Sequence, residues 1–212
     1  MSRVRTHLDG DWFARGLPGN LALGKKVYVD TSYGFHSALS ERETGVRFGD
    51  YCGSYDRSTY VIGPEGEVSF GSYTFLNATY VYCNDRITVG SFVMFAWGVI
   101  LTDTWLPSHA PIEERRRALA EAAVDPDRRL PPVATPRPVT IEDNVWIGFS
   151  AVILPGVRLG RGSIIGCKTI VRDDVPPYAI VVGDPPRIVR TLEPDDGESA
   201  RKRAIEEYAH HL

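Results

Sequence analysis

The chain has 212 residues, 43% of them hydrophobic and 24% charged, with a formal net charge of -3. That length suits one large domain or a domain with an appendage, and the mild acidity excludes a general electrostatic attraction to nucleic acid or anionic membrane. No apolar run approaches the roughly 20 residues that span a bilayer, so no membrane insertion is expected.

Residues 1–25 are polar and glycine-punctuated, and read as an irregular or partly helical lead-in without the apolar core of a secretory signal. The prism-like domain is expected over residues 26–190. From Val27 onward come short β-rich runs broken by glycine, among them EVSFGSYTF and RITVGSFVMFAWGVILTD. Aliphatic or aromatic residues fall six apart at Val89, Phe95 and Leu101. Phe70 and Leu76 keep that spacing but are shifted by one residue, which predicts earlier coils with bulges or insertions. Residues 102–140 then interrupt the repeat. Their middle, PIEERRRALAEAA, is a good helix former with acidic residues early, as the helix dipole favours. Loops this long in a compact domain carry function or are disordered.

The repeat returns without a slip from Ile141 to Val175. Aliphatic residues stand at Ile141, Ile147, Ile153, Leu159, Ile165 and Val171; four positions after each come Val145, Ala151, Val157, Ser163, Thr169 and Val175. A period of six fits neither an amphipathic helix nor an alternating strand. It predicts an all-β fold, a parallel β-helix in which three hexads complete one coil and the first position of each points at the axis. After Val175 the chain is expected to leave the prism, and residues 191–212 read as a C-terminal helical tail. Cys52, Cys83 and Cys167 have no metal spacing and cannot all pair, so reduced thiols and a cytoplasmic location are expected, with no metal.

The segments Asn144-Val145-Trp146-Ile147-Gly148, Pro155-Gly156-Val157, Asp174-Val175-Pro176-Pro177 and Gly183-Asp184-Pro185-Pro186-Arg187 closely resemble the end of the hexapeptide-repeat acetyltransferases. The nearest branches look like the maltose, galactoside and nodulation O-acetyltransferases and the xenobiotic acetyltransferases. Strong similarity covers about residues 138–190, and weaker similarity reaches back to about residue 45. The resemblance implies a left-handed β-helix, a homotrimer, and acetyl-CoA as co-substrate in the groove between neighbouring prisms. It places Phe149 and Cys167 along that groove, with Cys167 beside the pantetheine. Arg172 stands, displaced by one position, for the family's basic residue beside the nucleotide, and Arg187 and Arg190 match the basic residues expected to meet the CoA phosphates. A guanidinium fork suits that geometry. Asn77, Asn84 and Asp85 come from coil edges where the family places acceptor-binding residues; a corner residue satisfying its own backbone is the other reading. The tyrosines and tryptophans of the earlier coils can line an apolar acceptor pocket or pack a wall.

Acetyl transfer from a thioester needs a base for the attacking hydroxyl or amine, and histidine suits that role near neutral pH. The chain has five histidines. His7, His36, His210 and His211 lie in the lead-in, a glycine-bounded turn and the terminal tip, leaving His109 in the long interruption. The family's base lies in the corresponding loop, as His-Pro followed by acidic residues and an arginine. Here His109-Ala110-Pro111-Ile112-Glu113-Glu114-Arg115 keeps that order with one residue inserted. The second imidazole nitrogen needs an orienting oxygen, which a backbone carbonyl, Asp103 or Glu113 can supply; Asp103 is therefore counted with the acceptor-site residues.

The expected activity is direct acetyl transfer from acetyl-CoA to a hydroxyl of a sugar or small natural product. An N-acetyltransferase acting on an amino sugar, or a non-catalytic scaffold retaining the CoA groove, are the alternatives. A γ-type carbonic anhydrase needs three zinc-binding histidines, which the repeat region lacks. A nucleotidyltransferase is excluded by length.

Overall fold

The structure is a computed structural model and describes residues 6–104, 111–126, 135–194, 202, 203 and 206. Its centre is a three-faced prism of stacked coils. Coil one contains β1 (Leu21–Leu23), β2 (Tyr28–Val29) and a 3-10 turn at Ser32–Phe35. Coil two contains β3 (Val46–Phe48), β4 (Gly53–Tyr55) and β5 (Thr59–Ile62); coil three contains β6 (Glu67–Phe70), β7 (Phe75–Asn77) and β8 (Tyr80–Cys83). Coil four contains β9 (Arg86–Val89), β10 (Met94–Phe95) and β11 (Ile100–Thr102). The interruption carries helix α1 (Ile112–Val124), where the sequence predicts a helix, with Glu113 and Glu114 in its first turn. Coil five follows with β12 (Val139–Ile141), β13 (Trp146–Ile147) and β14 (Val152–Ile153), then coil six with β15 (Arg158–Leu159), β16 (Ile164–Ile165) and β17 (Ile170–Val171). The prism is closed by a hairpin of β18 (Ala179–Val182) and β19 (Arg187–Thr191), and beyond it Lys202, Arg203 and Glu206 are helical.

Three parallel sheets form the faces. The first face runs β1-β3-β6-β9-β12-β15, the second β2-β4-β7-β10-β13-β16-β18 with β19 added antiparallel, and the third β5-β8-β11-β14-β17. The hexad residues occupy the positions expected of them. Ile141, Ile147, Ile153, Leu159, Ile165 and Val171 are all buried along the axis, as are Val145, Ala151, Val157, Ser163, Thr169 and Val175. Each inward aliphatic side chain stabilises the stack by about 1.5–3 kcal/mol.

Two boundaries differ from the sequence expectation. Strand β1 lies inside the predicted lead-in, yet pairs in parallel with β3, so the first face begins at Leu21. At the other end, the chain after Val175 stays on the prism. Strand β18 pairs in parallel with β16, and Ala179 and Val181 are buried against the end of the core. The physical reason is that the last coil would otherwise expose its apolar axis to water.

The one-residue offset between Phe70–Leu76 and Val89 has a local cause. Leu76 pairs with Phe95 and Val81 with Leu101. The corner between the second and third faces is therefore five residues long in coil three and six in coil four. The next corner, from Val81 to Val89, takes eight residues, two more than the hexad, so the coil runs to nineteen and the net shift is one. Earlier coils are longer still: Phe48 lies 22 residues before its partner Phe70, against 18 between Ile141 and Leu159. Their axis holds rings instead of aliphatics, with Phe35 stacked on Tyr60 (4.4 Å) and Phe48 on Phe70 (4.8 Å).

The corner between the first and second faces is a ladder of left-handed residues. Lys26, Tyr51, Tyr73, Phe92, Asn144, Gly162 and Tyr178 all have φ between 49° and 66°. Such backbone is disfavoured for bulky side chains. In the lower coils ring stacking offsets the cost: the Tyr51 ring lies 5.1 Å from that of Tyr73, and the Tyr73 ring 5.0 Å from that of Phe92, the last two nearly parallel. In coils five and six, Asn144 and Gly162 take the position with little strain.

Candidate active site

The corner between the second and third faces carries an exposed column. Each rung places one side chain two residues after an inward residue: Trp97 after Phe95, Phe149 after Ile147, and Cys167 after Ile165. All three side chains are exposed, Trp97 at 62% and Phe149 at 45%. Behind them the coils approach as closely as backbone permits. A Cβ added at Gly148 would lie 2.6 Å from the Cys167 nitrogen, so only glycine fits there. The Lys168 ammonium sits 5.8 Å from the centre of the Phe149 ring. The result is a straight ledge with a flat, apolar floor and a cation at its side.

At the upper end of this ledge, Val182 pairs with Arg187 and Ile180 with Arg190 across the terminal hairpin. Both arginines are exposed. Arg172 stands beside the same hairpin. Its guanidinium pairs with Asp184 at 2.7 Å, which ties the hairpin turn to coil six. Gly183 N–H also donates to the Thr169 hydroxyl, at 3.0 Å. Arg172 thus braces the turn of the terminal hairpin.

The four residues assigned to the acceptor site do not come together. Asn77 lies on the ledge's own corner, in coil three, and its amide donates to the Phe95 carbonyl at 2.8 Å. Asn84, Asp85 and Asp103 lie at the other edge of the third face. Asp103 is fully buried there. Its carboxylate accepts from Asn84 N–H (2.9 Å), Asp85 N–H (2.8 Å) and the Thr104 hydroxyl (2.7 Å). Those bonds occupy it within the wall, which corrects its assignment as an acceptor-site residue. Its position explains the choice of residue: Asp103 stands one coil above Cys83, where the chain departs from the prism and a buried turn needs an acceptor.

The same edge is the root of the interruption. Arg137 N–H donates to the Asp103 carbonyl (2.8 Å), and Gly156 N–H donates to the Arg137 carbonyl (2.9 Å). Arg137 thus serves as the missing rung between coils four and five, and the excursion leaves and re-enters through one narrow neck. His109 lies outside the described residues. The interruption that bears it emerges at the third–first edge, whereas Phe149 and Cys167 stand at the second–third edge. Among the described histidines, His36 belongs to coil one, stacked on Tyr33 at 4.7 Å.

The cysteines divide by environment. Cys52 and Cys83 are buried, and burial pushes both thiols up from the ordinary range, which makes them inert packing. Cys167 is exposed on the ledge. Among the described residues no group of His, Cys, Asp or Glu is arranged to hold a metal ion, and no helix is long and apolar enough to cross a membrane.

Sequence reasoning left the tryptophan of the earlier coils, Trp97, between acceptor pocket and wall packing, although its spacing after an inward residue equals that of Phe149 and Cys167. It also left unseen an open apolar groove of about 330 Å3 on the second face, lined by Tyr73, Phe75, Phe92, Val93 and Met94.

Residues 138–173 match the family model for the bacterial transferase hexapeptide, six repeats. A putative acetyltransferase of Schizosaccharomyces pombe is 46% identical over 56 residues, covering 26% of this chain and 27% of its own length. The chain therefore spans about a quarter of that relative. The galactoside O-acetyltransferase of Escherichia coli K12 is 26% identical over 187 residues, covering 85% of this chain and 83% of its own. Among solved structures, a hexapeptide-repeat acetyltransferase of Vibrio cholerae complexed with acetyl-CoA superposes with a TM-score of 0.53 at 25% identity, over 77% of each chain.

Proposed function

We propose, from its similarity to the hexapeptide-repeat acetyltransferases, that this chain is a member of that superfamily and moves an acetyl group from acetyl-CoA directly to a hydroxyl of a sugar or small natural product. The observation that carries this reading is the exposed ledge of Phe149 and Cys167 over close-packed glycine rungs, with Arg187 and Arg190 at its upper end. Pantetheine would lie along the ledge and the phosphates would meet the two guanidinium groups. The thioester then points down the corner, toward coil four. His109 is the general base of the reading, accepting the acceptor's proton as its oxygen attacks the thioester carbonyl. A backbone carbonyl or Glu113 is left to orient its ring, since Asp103 is engaged in the wall.

The prism is taken to wind left-handed and to assemble as a homotrimer in the cytoplasm. Face chemistry supports assembly. The first face presents Arg47, Ser69, Thr88, Thr140 and Arg158 outward, whereas the second presents Phe75, Met94, Trp146 and Ile164 and the third Tyr80, Ile100, Val152 and Ile170. Two apolar faces flank the ledge, and a ring of three copies, each joining its second face to a neighbour's third, would cover both. The interruption of one copy then reaches the ledge of the next, which removes the separation between the two edges of the third face.

The test is kinetic. His109→Ala should lower turnover by about 10²–10⁴-fold while leaving the calorimetric affinity for CoA nearly unchanged. Unaltered turnover removes His109 from the mechanism; absence of CoA binding by the wild-type chain removes the reading itself.

A further inference from the structure

Trp97 is the most exposed ring of the ledge, yet it is not free to swing. Its indole N–H donates to the Asp56 carboxylate at 2.8 Å, and Asp56 belongs to coil two while Trp97 belongs to coil four. Coils are stacked about 4.8 Å apart, so the indole must lie down along the corner to span two of them. The space it crosses is opened by coil three, whose corner is one residue shorter than the corner above. Asp56 and Arg57 are held for this in consecutive left-handed backbone, with φ of 53° and 57°. That conformation is costly for non-glycine residues, and the Arg57 N–H is pinned to Asp30 at 2.8 Å.

The arrangement makes little sense as packing. Trp97 keeps 62% of its surface exposed, and the core beneath is already closed by Val99 and Phe95. It makes sense as a surface held ready: a large apolar plane whose orientation is set before anything binds, with the ordering cost already met. Polar groups border it. Asp56 and Arg57 are exposed, and Asn77, in the corner between the two coils, has its amide nitrogen engaged and its side-chain oxygen uncommitted to the described residues.

We infer that the Asp56–Trp97 pair is the acceptor platform, on which a pyranose ring stacks its C–H face against the indole while Asp56, Arg57 and Asn77 meet its hydroxyls. This rests on the donor reading above, because a thioester running down the ledge from Cys167 and Phe149 ends at Trp97. An acyclic polyol has no flat face to stack, so the platform selects ring-shaped acceptors. Trp97 is a specificity-determining residue in this role and takes no part in proton transfer.

The experiment uses the full chain labelled with 5-fluorotryptophan. The fluorine signal of Trp97 is assigned by its loss in Trp97→Phe. With acetyl-CoA present, methyl pyranosides of glucose, galactose and N-acetylglucosamine are titrated, with sorbitol as the acyclic control. At least one pyranoside should move the Trp97 signal saturably, while sorbitol leaves it in place. Asp56→Ala should weaken that response about tenfold, the size of one aromatic contact, and Asp56→Asn, which still accepts from the indole, should restore it. A Trp97 signal that ignores every pyranoside, or that moves equally with sorbitol, overturns the inference. So does a Trp97→Ala chain that loses its oligomeric state, which would make the ring an interface residue. Calorimetry of acetyl-CoA on the same sample separates the two readings. Heat of binding with a silent Trp97 sinks only the platform, and no heat sinks the donor reading too.

Discussion

Coils one to four and coils five to six build the same prism by different means. In the upper coils each rung spends eighteen residues on a turn of the helix, the axis is aliphatic, and the strained corner is given to Asn144 and Gly162. In the lower coils the turns are longer, the axis is filled by Phe35, Phe48, Tyr60 and Phe70, and the strained corner is given to Tyr51, Tyr73 and Phe92. Left-handed backbone costs a non-glycine residue about 1–2 kcal/mol. Three stacked rings share contacts that offset it. The difference teaches that one backbone solution can be stabilised by residue choice at the position itself or by side chains across coils. Only the first kind leaves a period in the sequence.

The largest expected effect breaks the upper half. Ile153→Asp places an unpaired carboxylate at the axis between coils, where the side chain it replaces is fully buried, and should prevent folding. Loss of cooperative unfolding in circular dichroism would register it. A folded, cooperative variant would mean that the axis is wet.

An intermediate effect sharpens the contrast in the lower half. Tyr73→Ala removes the middle ring of the stack and leaves alanine at φ +57°, with an expected loss of about 2–4 kcal/mol in urea unfolding. Tyr73→Gly removes the same ring but relieves the backbone, so it should be less destabilising than alanine by about 1 kcal/mol. Equal losses would show that the backbone there is unstrained and the rings alone matter.

The smallest effect concerns the start of the prism. Asp11 anchors the lead-in to the 3-10 turn, accepting from the Thr31 hydroxyl (2.8 Å), Ser32 N–H (2.9 Å) and the Ser32 hydroxyl. Burial opposes its ionisation, but hydrogen bonds from Ser32 and Thr31 outweigh that and hold its carboxyl at about 2. A carboxyl depressed below its unfolded value of 3.8 contributes stability above that pH, and the contribution is lost as pH falls toward about 2. The urea midpoint of the wild type should therefore exceed that of Asp11→Asn at neutral pH, with the gap closing between about pH 4 and pH 2. A gap independent of pH would assign the anchor to shape instead of charge.

Legibility in the sequence follows the same divide. The inward residues from Ile141 to Val175 could be named in advance because aliphatic side chains at a fixed period have one place to go. It was the family resemblance that pointed to Phe149 and Cys167 along one groove. Asp103 could not be understood this way. A carboxylate at a coil edge looks like a functional group until its partners are seen to be the backbone N–H groups of Asn84 and Asp85, nineteen and eighteen residues earlier. The partner of Arg172 was hidden for a similar reason: Asp184 is brought close only by the fold of the terminal hairpin.

By itself, the sequence determined the prism, its inward residues, the place of the interruption with its helix, and the family resemblance. All of these follow from local periodicity and from residues adjacent in the chain. The tertiary structure alone decided which edge each polar residue occupies, that Asp103 closes a neck instead of facing a substrate, and that Trp97 is laid flat by Asp56 from two coils below. Those outcomes depend on contacts between coils, where hydrogen bonds and stacked rings join residues about twenty to forty positions apart.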